Sequence, residues 1–378
     1  MKELDELTTK CIRCGFCLEA CPTFRETGDE TQSPRGRIYL ARSADEGRLS
    51  FDEIAPALDS CLGCRACETA CPSGVEYGAI LELARSRQTQ PLARRALLGM
   101  VSNGWFLRAQ LLAGRVWRPK RIPKLFSPQP PVVRPPRSQP NSWQAPIEPT
   151  TIKGEVAVLR GCAMDVLFPR VHQATERLLN RVGYRVNWVS GCCGALHAHQ
   201  GQAAKGESMA EQILHHHPKL VMNSAGCGAH LRGMAETKLV VDISEFLLTE
   251  GLLDLLKASP GLKKNITYHD ACHLAHGQGV RTAPRELLGA IPQATLIELP
   301  NADHCCGSAG VYNVLQPRMA GQLGEKKLAE IGKIRCDIVA MGNPGCQAWI
   351  DQLVEESNTP IRVLHTAELL ESSFSGLP

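Results

Sequence analysis

The sequence predicts a multidomain α+β protein: an all-helical N-terminal unit, then two α/β repeats with mainly parallel sheets. Three observations carry this. The first 90 residues hold two identically spaced cysteine runs joined by helix-period segments without strand character. From residue 151 onward, short β-rich runs alternate with helical segments. That alternation comes twice, each time with its cysteines in the order Cys, then Cys-Cys-Gly, then Gly-Cys.

The N-terminal runs are Cys11-Ile-Arg-Cys14-Gly-Phe-Cys17-Leu-Glu-Ala-Cys21-Pro22 and Cys61-Leu-Gly-Cys64-Arg-Ala-Cys67-Glu-Thr-Ala-Cys71-Pro72. Both read C-x2-C-x2-C-x3-C-P, the ligand spacing of bacterial two-cluster ferredoxins. In that pattern three thiolates on one loop hold three irons, and the fourth, before proline, reaches the other cluster. The expected sets are therefore Cys11, Cys14, Cys17 and Cys71 for one [4Fe-4S] cluster, and Cys61, Cys64, Cys67 and Cys21 for the second. Zinc closes with four ligands and needs no interlocking second set, and disulfides have no preference for this spacing. The runs are separated by 39 residues, including Ser33-Pro-Arg-Gly-Arg37 and a helical stretch from Ile38 to Glu46. A compact βαββαβ ferredoxin has a shorter gap with strand character. Helices such as Phe51 to Leu58 and Gly78 to Arg87 point instead to an all-helical unit over residues 1–90.

Residues 91–150 read as a basic, proline-rich connection. From Leu83 to Ile147 there is no Asp or Glu but 12 Arg and Lys, within a chain whose net charge is only +4. Leu92, Leu97, Leu98, Trp105, Phe106, Leu111, Leu112 and Trp117 among Arg94, Arg95, Arg108 and Arg115 suit basic amphipathic helices. Ten prolines between Pro119 and Pro149 suit an extended linker. Either the helices pack on their own protein with a solvated basic face, or they form a patch for anionic lipid or an acidic partner subunit. Nucleic acid is not expected, because no binding module accompanies the charge. The acidic, polar start of the chain is unlike a secretory signal, and no run approaches 18 uncharged apolar residues. With 17 cysteines this implies a reducing compartment. A cytoplasmic protein is expected, with peripheral attachment to the inner face of the plasma membrane left open.

In residues 151–260, strand-like Glu155 to Leu159 leads to Cys162, a helix covers Val171 to Val182, and Tyr184 to Val189 leads to Gly191-Cys192-Cys193-Gly194. A helix from Gly206 to His216 and a strand from Leu220 to Asn223 then lead to Cys227. Residues 261–378 repeat the order: Asn265 to Tyr268 before Cys272, Thr295 to Leu299 before Cys305-Cys306-Gly307, and Ile338 to Met341 before Cys346. Two parallel α/β units result, with their cysteines at the carboxyl ends of strands, where such sheets bind ligands.

The sets Cys162, Cys192, Cys193, Cys227 and Cys272, Cys305, Cys306, Cys346 each number four, enough for one further Fe–S cluster per repeat. A dithiol redox site and an empty structural site are the alternatives. Vicinal cysteines reach disulfide geometry only by distorting the peptide between them. Cys336, outside the order, is most simply a buried hydrophobe. His197, His199, His215, His216, His217, His230, His269, His273, His276 and His304 read as satisfied polar side chains, some placed to donate a hydrogen bond to a cluster sulfur. No GxGxxG, P-loop or nucleophile elbow is present, so a hydride-handling cofactor must reside in a partner.

Together with Gly28-Asp29-Glu30, Pro34-Arg-Gly-Arg-Ile-Tyr-Leu40, Cys71-Pro-Ser-Gly-Val75, Gly191-Cys-Cys-Gly-Ala195 and His304-Cys-Cys-Gly-Ser-Ala-Gly310, these motifs resemble the iron–sulfur subunits of bacterial glycolate oxidases nearly end to end. The second half resembles the cysteine-rich CCG domain shared with heterodisulfide reductase and with subunits of some glycerol-3-phosphate and lactate dehydrogenases. The resemblance implies an electron-transfer subunit without catalysis of its own. It would accept electrons from an FAD-containing dehydrogenase subunit that oxidises glycolate or another 2-hydroxy acid such as D-lactate, and pass them toward a quinone and the respiratory chain. The fullest CCG motif ends in C-x2-C, whereas this chain has Cys227-Gly-Ala-His230 and Cys346-Gln-Ala-Trp349. That departure weighs against the alternative of a thiol/disulfide reductase with a catalytic cluster in a repeat.

Overall fold

The computed structural model describes residues 3–109, 147–234 and 239–375. Residues 3–109 contain helices and turns but no strand. Helices Leu4–Thr9, Pro34–Asp45, Ala55–Asp59 and Tyr77–Ser86 pack around Leu4, Leu7, Ile38, Ala41, Leu58, Ile80 and Ala84. Local chemistry explains where the longest of these begins. The Ser33 hydroxyl accepts the Gly36 N–H at 2.9 Å, and Pro34 occupies the first turn, where its missing N–H costs nothing. Arg37, Ile38, Ala41 and Ala44 then bury one face at helical spacing. Both cysteine runs lie in the turns that lead into short helices, Cys17–Ala20 and Ala66–Thr69, so their thiols converge from loops held by this small core.

The remainder forms two four-stranded parallel sheets. Strands β1 (Gly154–Leu159), β2 (Tyr184–Val189), β3 (Leu220–Met222) and β4 (Val240–Asp242) lie in the order β2-β1-β3-β4. Strands β5 (Asn265–Tyr268), β6 (Thr295–Glu298), β7 (Ile338–Met341) and β8 (Arg362–His365) lie in the order β6-β5-β7-β8. The identical order makes the cysteine repeat a structural repeat. The edge strands β4 and β8 are additions to what the sequence predicts. Val158 and Val221 of the first sheet share one core with Ile266 and Ile338 of the second, filled by Leu178, Leu247, Leu287 and Leu369. Buried Glu371 on the last helix, Thr366–Ser375, joins the repeats by accepting from Arg177 at 2.6 Å and Arg181 at 2.9 Å on helix Pro169–Arg181.

In the described part of the basic segment, helix Leu92–Ser102 forms, and arginines bond to the protein itself: Arg94 to Asp59 at 3.0 Å, Arg87 to Asp45 and Arg108 to Asp165. Leu111, Leu112, Arg115, Trp117 and most of the prolines lie outside the described residues. Among the described residues, no helix is long and apolar enough to cross a membrane.

Candidate metal centres

Cys11, Cys14, Cys17 and Cys71 line one open cavity, together with Cys67, Arg35, Ile38, Val75 and Tyr77. The distant run thus brings Cys67 and Cys71 beside the first three cysteines of the other. No carboxylate lines this cavity. It sits at the surface: Cys14 is exposed, and Ile12 and Phe16, one on either side of it, are 68% and 69% exposed.

Cys21, Cys61, Cys64 and Cys67 lie inside, all buried and within one another's field. Two buried arginines attend them. Arg37 places Nη1 3.9 Å from the Cys21 Sγ and satisfies its other N–H groups on Ala57 O (2.7 Å), Thr23 Oγ1 (2.9 Å) and Ser60 Oγ (2.9 Å). Arg85 donates to the carbonyls of Leu58 (2.6 Å), Cys61 (2.7 Å) and His199 (2.6 Å). Among the described residues neither guanidinium bonds a carboxylate. A buried charge is costly unless a counter-charge accompanies it, and the neighbours that favour the Arg37 charge are Cys61, Cys21 and the Tyr77 hydroxyl. Burial alone would raise the Cys61 thiol. Arg37 and Arg85 overcome that and hold it below its usual range, assisted by the Tyr77 hydroxyl at 3.5 Å and the Gly63 N–H at 3.4 Å. Both sets fit anionic [4Fe-4S] clusters on these grounds: four thiols each, no acidic competitor in the first, and unneutralised buried cations beside the second.

In each repeat the cysteines follow strand ends and meet. Cys162, Cys192, Cys193 and Cys227 form an unbroken series of thiol contacts, as do Cys272, Cys305, Cys306 and Cys346. The Cys162 and Cys193 thiols donating to Cys192 pull it well down, to about 3. Clustered thiols of this kind suit iron–sulfur centres. The glycine of each Cys-Cys-Gly turn has a backbone reason. Gly194 (φ +86°) and Gly307 (φ +91°) are left-handed, and a Cβ would lie 2.2 Å from Gly206 O and 2.6 Å from Ala320 O. Both turns are thus pressed against the following helix. Cys336 is half-buried and packs at the margin of the second core.

The inner N-terminal set abuts the second repeat. Cys64 lies in one buried cluster with Cys305 and Cys306 and feels the Cys272 and Cys305 sulfurs directly. The junction is pinned by Tyr312 donating to Ser60 O at 2.8 Å and by His273 Nε2 at 3.0 Å from Gly63 O.

Most histidines are satisfied side chains. His197 bonds Gln202 and Ser102, His276 bonds Thr69, and His304 faces Arg25. His199 meets Glu82 at 2.6 Å, and its ring lies edge-on to those of His230 and His273. His269 departs from the expectation: it is wholly buried with both ring nitrogens unpartnered, and burial takes its pKa down to about 3. The cysteine motifs do not single out Arg37 and Arg85, which the structure places beside the inner thiols. A signal exists for Arg37, which shares the apolar face of its helix with Ile38 and Ala41.

Comparison with known proteins adds the following. A family model described as a 4Fe-4S dicluster domain matches residues 8–75, and one described as a cysteine-rich (CCG) domain matches twice, at 156–232 and 266–351. The chain is 31% identical to a probable glycolate oxidase iron-sulfur subunit of Bacillus subtilis, over 95% of this chain and 92% of the relative. It is 32% identical to the glycolate oxidase iron-sulfur subunit of Escherichia coli, over 98% and 95%. A more distant relative, 25% identical over 92% and 88%, is a subunit of the dihydromethanophenazine:CoB–CoM heterodisulfide reductase of Methanosarcina barkeri.

Proposed function

Since the chain belongs to the family of glycolate oxidase iron–sulfur subunits, we propose that it carries electrons from a flavin-containing dehydrogenase subunit toward the respiratory chain. The reductant is glycolate or a close 2-hydroxy acid, oxidised at the flavin and not on this chain. Bound [4Fe-4S] clusters would supply the one-electron steps that link a two-electron flavin to its acceptor. Cys11, Cys14, Cys17 and Cys71 hold the outer cluster, and Cys21, Cys61, Cys64 and Cys67 the inner one. Cys162, Cys192, Cys193 and Cys227 hold a further iron centre in the first repeat, and Cys272, Cys305, Cys306 and Cys346 one in the second.

One observation carries this reading: a series of thiols runs from exposed Cys14, through Cys67 on the same cavity and buried Cys64, to Cys272 and Cys305. The exposed end, with Ile12 and Phe16 around Cys14, is the face for the flavoprotein, since an apolar rim around an accessible centre favours close docking. Arg37, Arg85 and the Tyr77 hydroxyl stabilise negative charge at the inner set, which favours electron acceptance there. The basic segment of residues 83–147 is suited to an anionic membrane surface near a quinone, with some of its arginines already engaged internally.

The test is turnover with a dye acceptor. The purified chain should contain no flavin and should oxidise neither glycolate nor D-lactate until the flavoprotein subunit is added. Turnover by the chain alone would overturn the proposal. Reduction of a disulfide substrate by the chain would favour the heterodisulfide type of chemistry instead.

A further inference from the structure

The two repeats share one topology and one thiol count, but their centres are not equivalent. His269 is the first residue beyond β5, three positions before Cys272. The matching position in the first repeat, three before Cys162, is the buried apolar Leu159. His269 is 0% exposed, and one of its ring nitrogens lies with Cys306 Sγ and Cys346 Sγ in a group whose members are all within 4.8 Å of one another. Among the described residues this is the one place where three potential ligand atoms gather so tightly.

An imidazole buried in this way normally bonds through at least one nitrogen. His269 bonds through neither, and it is the only described side chain with two such buried orphan nitrogens on one ring. The Ala302 main chain, which leans toward the ring, makes no full hydrogen bond with it. Its carbonyl already accepts the Asp270 N–H at 3.1 Å. The Cys306 and Cys346 thiols lie within 4.8 Å of one of the His269 nitrogens, which points to a shared metal. The second repeat also lacks a thiol three residues past its last cysteine. Trp349 stands there, with its Nε1 donating to Cys306 O at 2.9 Å and so fixing the Cys-Cys-Gly turn. In the first repeat that position is His230, whose Nε2 is 3.4 Å from Gly206 O.

We propose that His269 is an imidazole ligand of the iron centre in the second repeat, completing the donor set of Cys272, Cys305, Cys306 and Cys346. This rests on the reading that those thiols hold iron. A neutral nitrogen in place of an anionic sulfur raises the reduction potential of an iron–sulfur centre. The first repeat, with Leu159 at the matching position, has no such ligand there.

The full-length iron-loaded chain is prepared anaerobically with ordinary and with 15N-labelled histidine. Pulsed EPR is recorded on the centre that disappears in Cys306→Ser. A directly coordinated nitrogen coupling that changes with the isotope and is missing in His269→Leu is the expected result. His269→Cys should keep the iron and shift that centre to lower potential. No histidine nitrogen coupling in the labelled wild-type protein, or a coupling that survives in His269→Leu, overturns the assignment while leaving the centre itself in place. Iron and sulfide contents that Cys306→Ser leaves unchanged overturn both the assignment and the reading beneath it. The isotope comparison needs no substitution, so it stands even if a variant folds poorly.

Discussion

Replacing Arg37 with Gln removes a buried positive charge while keeping hydrogen-bond donors for Thr23 and Ser60. Arg37 Nη1 is 3.9 Å from Cys21 Sγ, in a region with 1% of the arginine exposed. Two unit charges at that separation interact by about 4 kcal/mol at an effective dielectric constant near 20. An added electron spreads over the whole cluster, so roughly a quarter of its charge is felt at the Cys21 side. The differential effect is then about 1 kcal/mol, or on the order of 40 mV for a one-electron couple. Because the lost charge is positive, the inner cluster should become harder to reduce, and its potential should fall by about that amount. The assay is an EPR-monitored redox titration, with iron and sulfide counts matched to the wild type. Arg35→Gln is the control: Arg35 is bound to Glu30 at 2.7 Å and is partly solvated, so its loss should move the outer cluster far less. A fully loaded Arg37→Gln protein whose inner potential is unchanged or raised would refute the idea that the buried arginines serve the cluster.

Three further outcomes follow from the same geometry. Cys14→Ser should remove about one cluster's worth of iron and leave the inner cluster's EPR signal, because the inner set of Cys21, Cys61, Cys64 and Cys67 does not include it; unchanged iron content would contradict that division. Ile12→Ser with Phe16→Ser should slow electron acceptance from the flavoprotein with iron content unaltered, and an unchanged rate would place docking elsewhere. Gly307→Ala should destabilise the second repeat by at least about 1–2 kcal/mol, since it forces a left-handed alanine toward Ala320 O; a thermal unfolding midpoint equal to the wild type's would refute this.

Much of this architecture was legible because ligand chemistry leaves fixed spacings. The C-x2-C-x2-C-x3-C-P runs point to a dicluster domain, which the family match over residues 8–75 bears out, and one cavity brings cysteines of both runs together. Strands Tyr184–Val189, Asn265–Tyr268 and Ile338–Met341 are readable as short β-prone runs that lead to Cys192, Cys272 and Cys346. Strands β4 and β8 are not. β4 has only three residues and runs straight into a helix capped by Asp242, and β8 ends at His365 where the last helix begins, so neither leads to a cysteine that would mark it as the other strands are marked. The cysteine order exposed the duplication, but not the inequality of its copies. That inequality lies at His269 and Leu159, and it depends on which side chains are left without partners, a property of three-dimensional packing. Arg37 was hidden for a related reason: an arginine within Pro34-Arg-Gly-Arg37 looks solvated until the thiols around it are placed.

Electrons are held to leave a flavin and spread over iron–sulfur centres carried by this chain. The most direct measurement is rapid freeze-quench EPR after glycolate is mixed with the chain assembled with its flavoprotein subunit. The account predicts reduced iron–sulfur signals within the turnover time, absent when the flavoprotein is omitted, and restricted to the outer cluster's signal in Cys64→Ser. Centres that stay oxidised while the assembled complex turns over with a dye acceptor would contradict it.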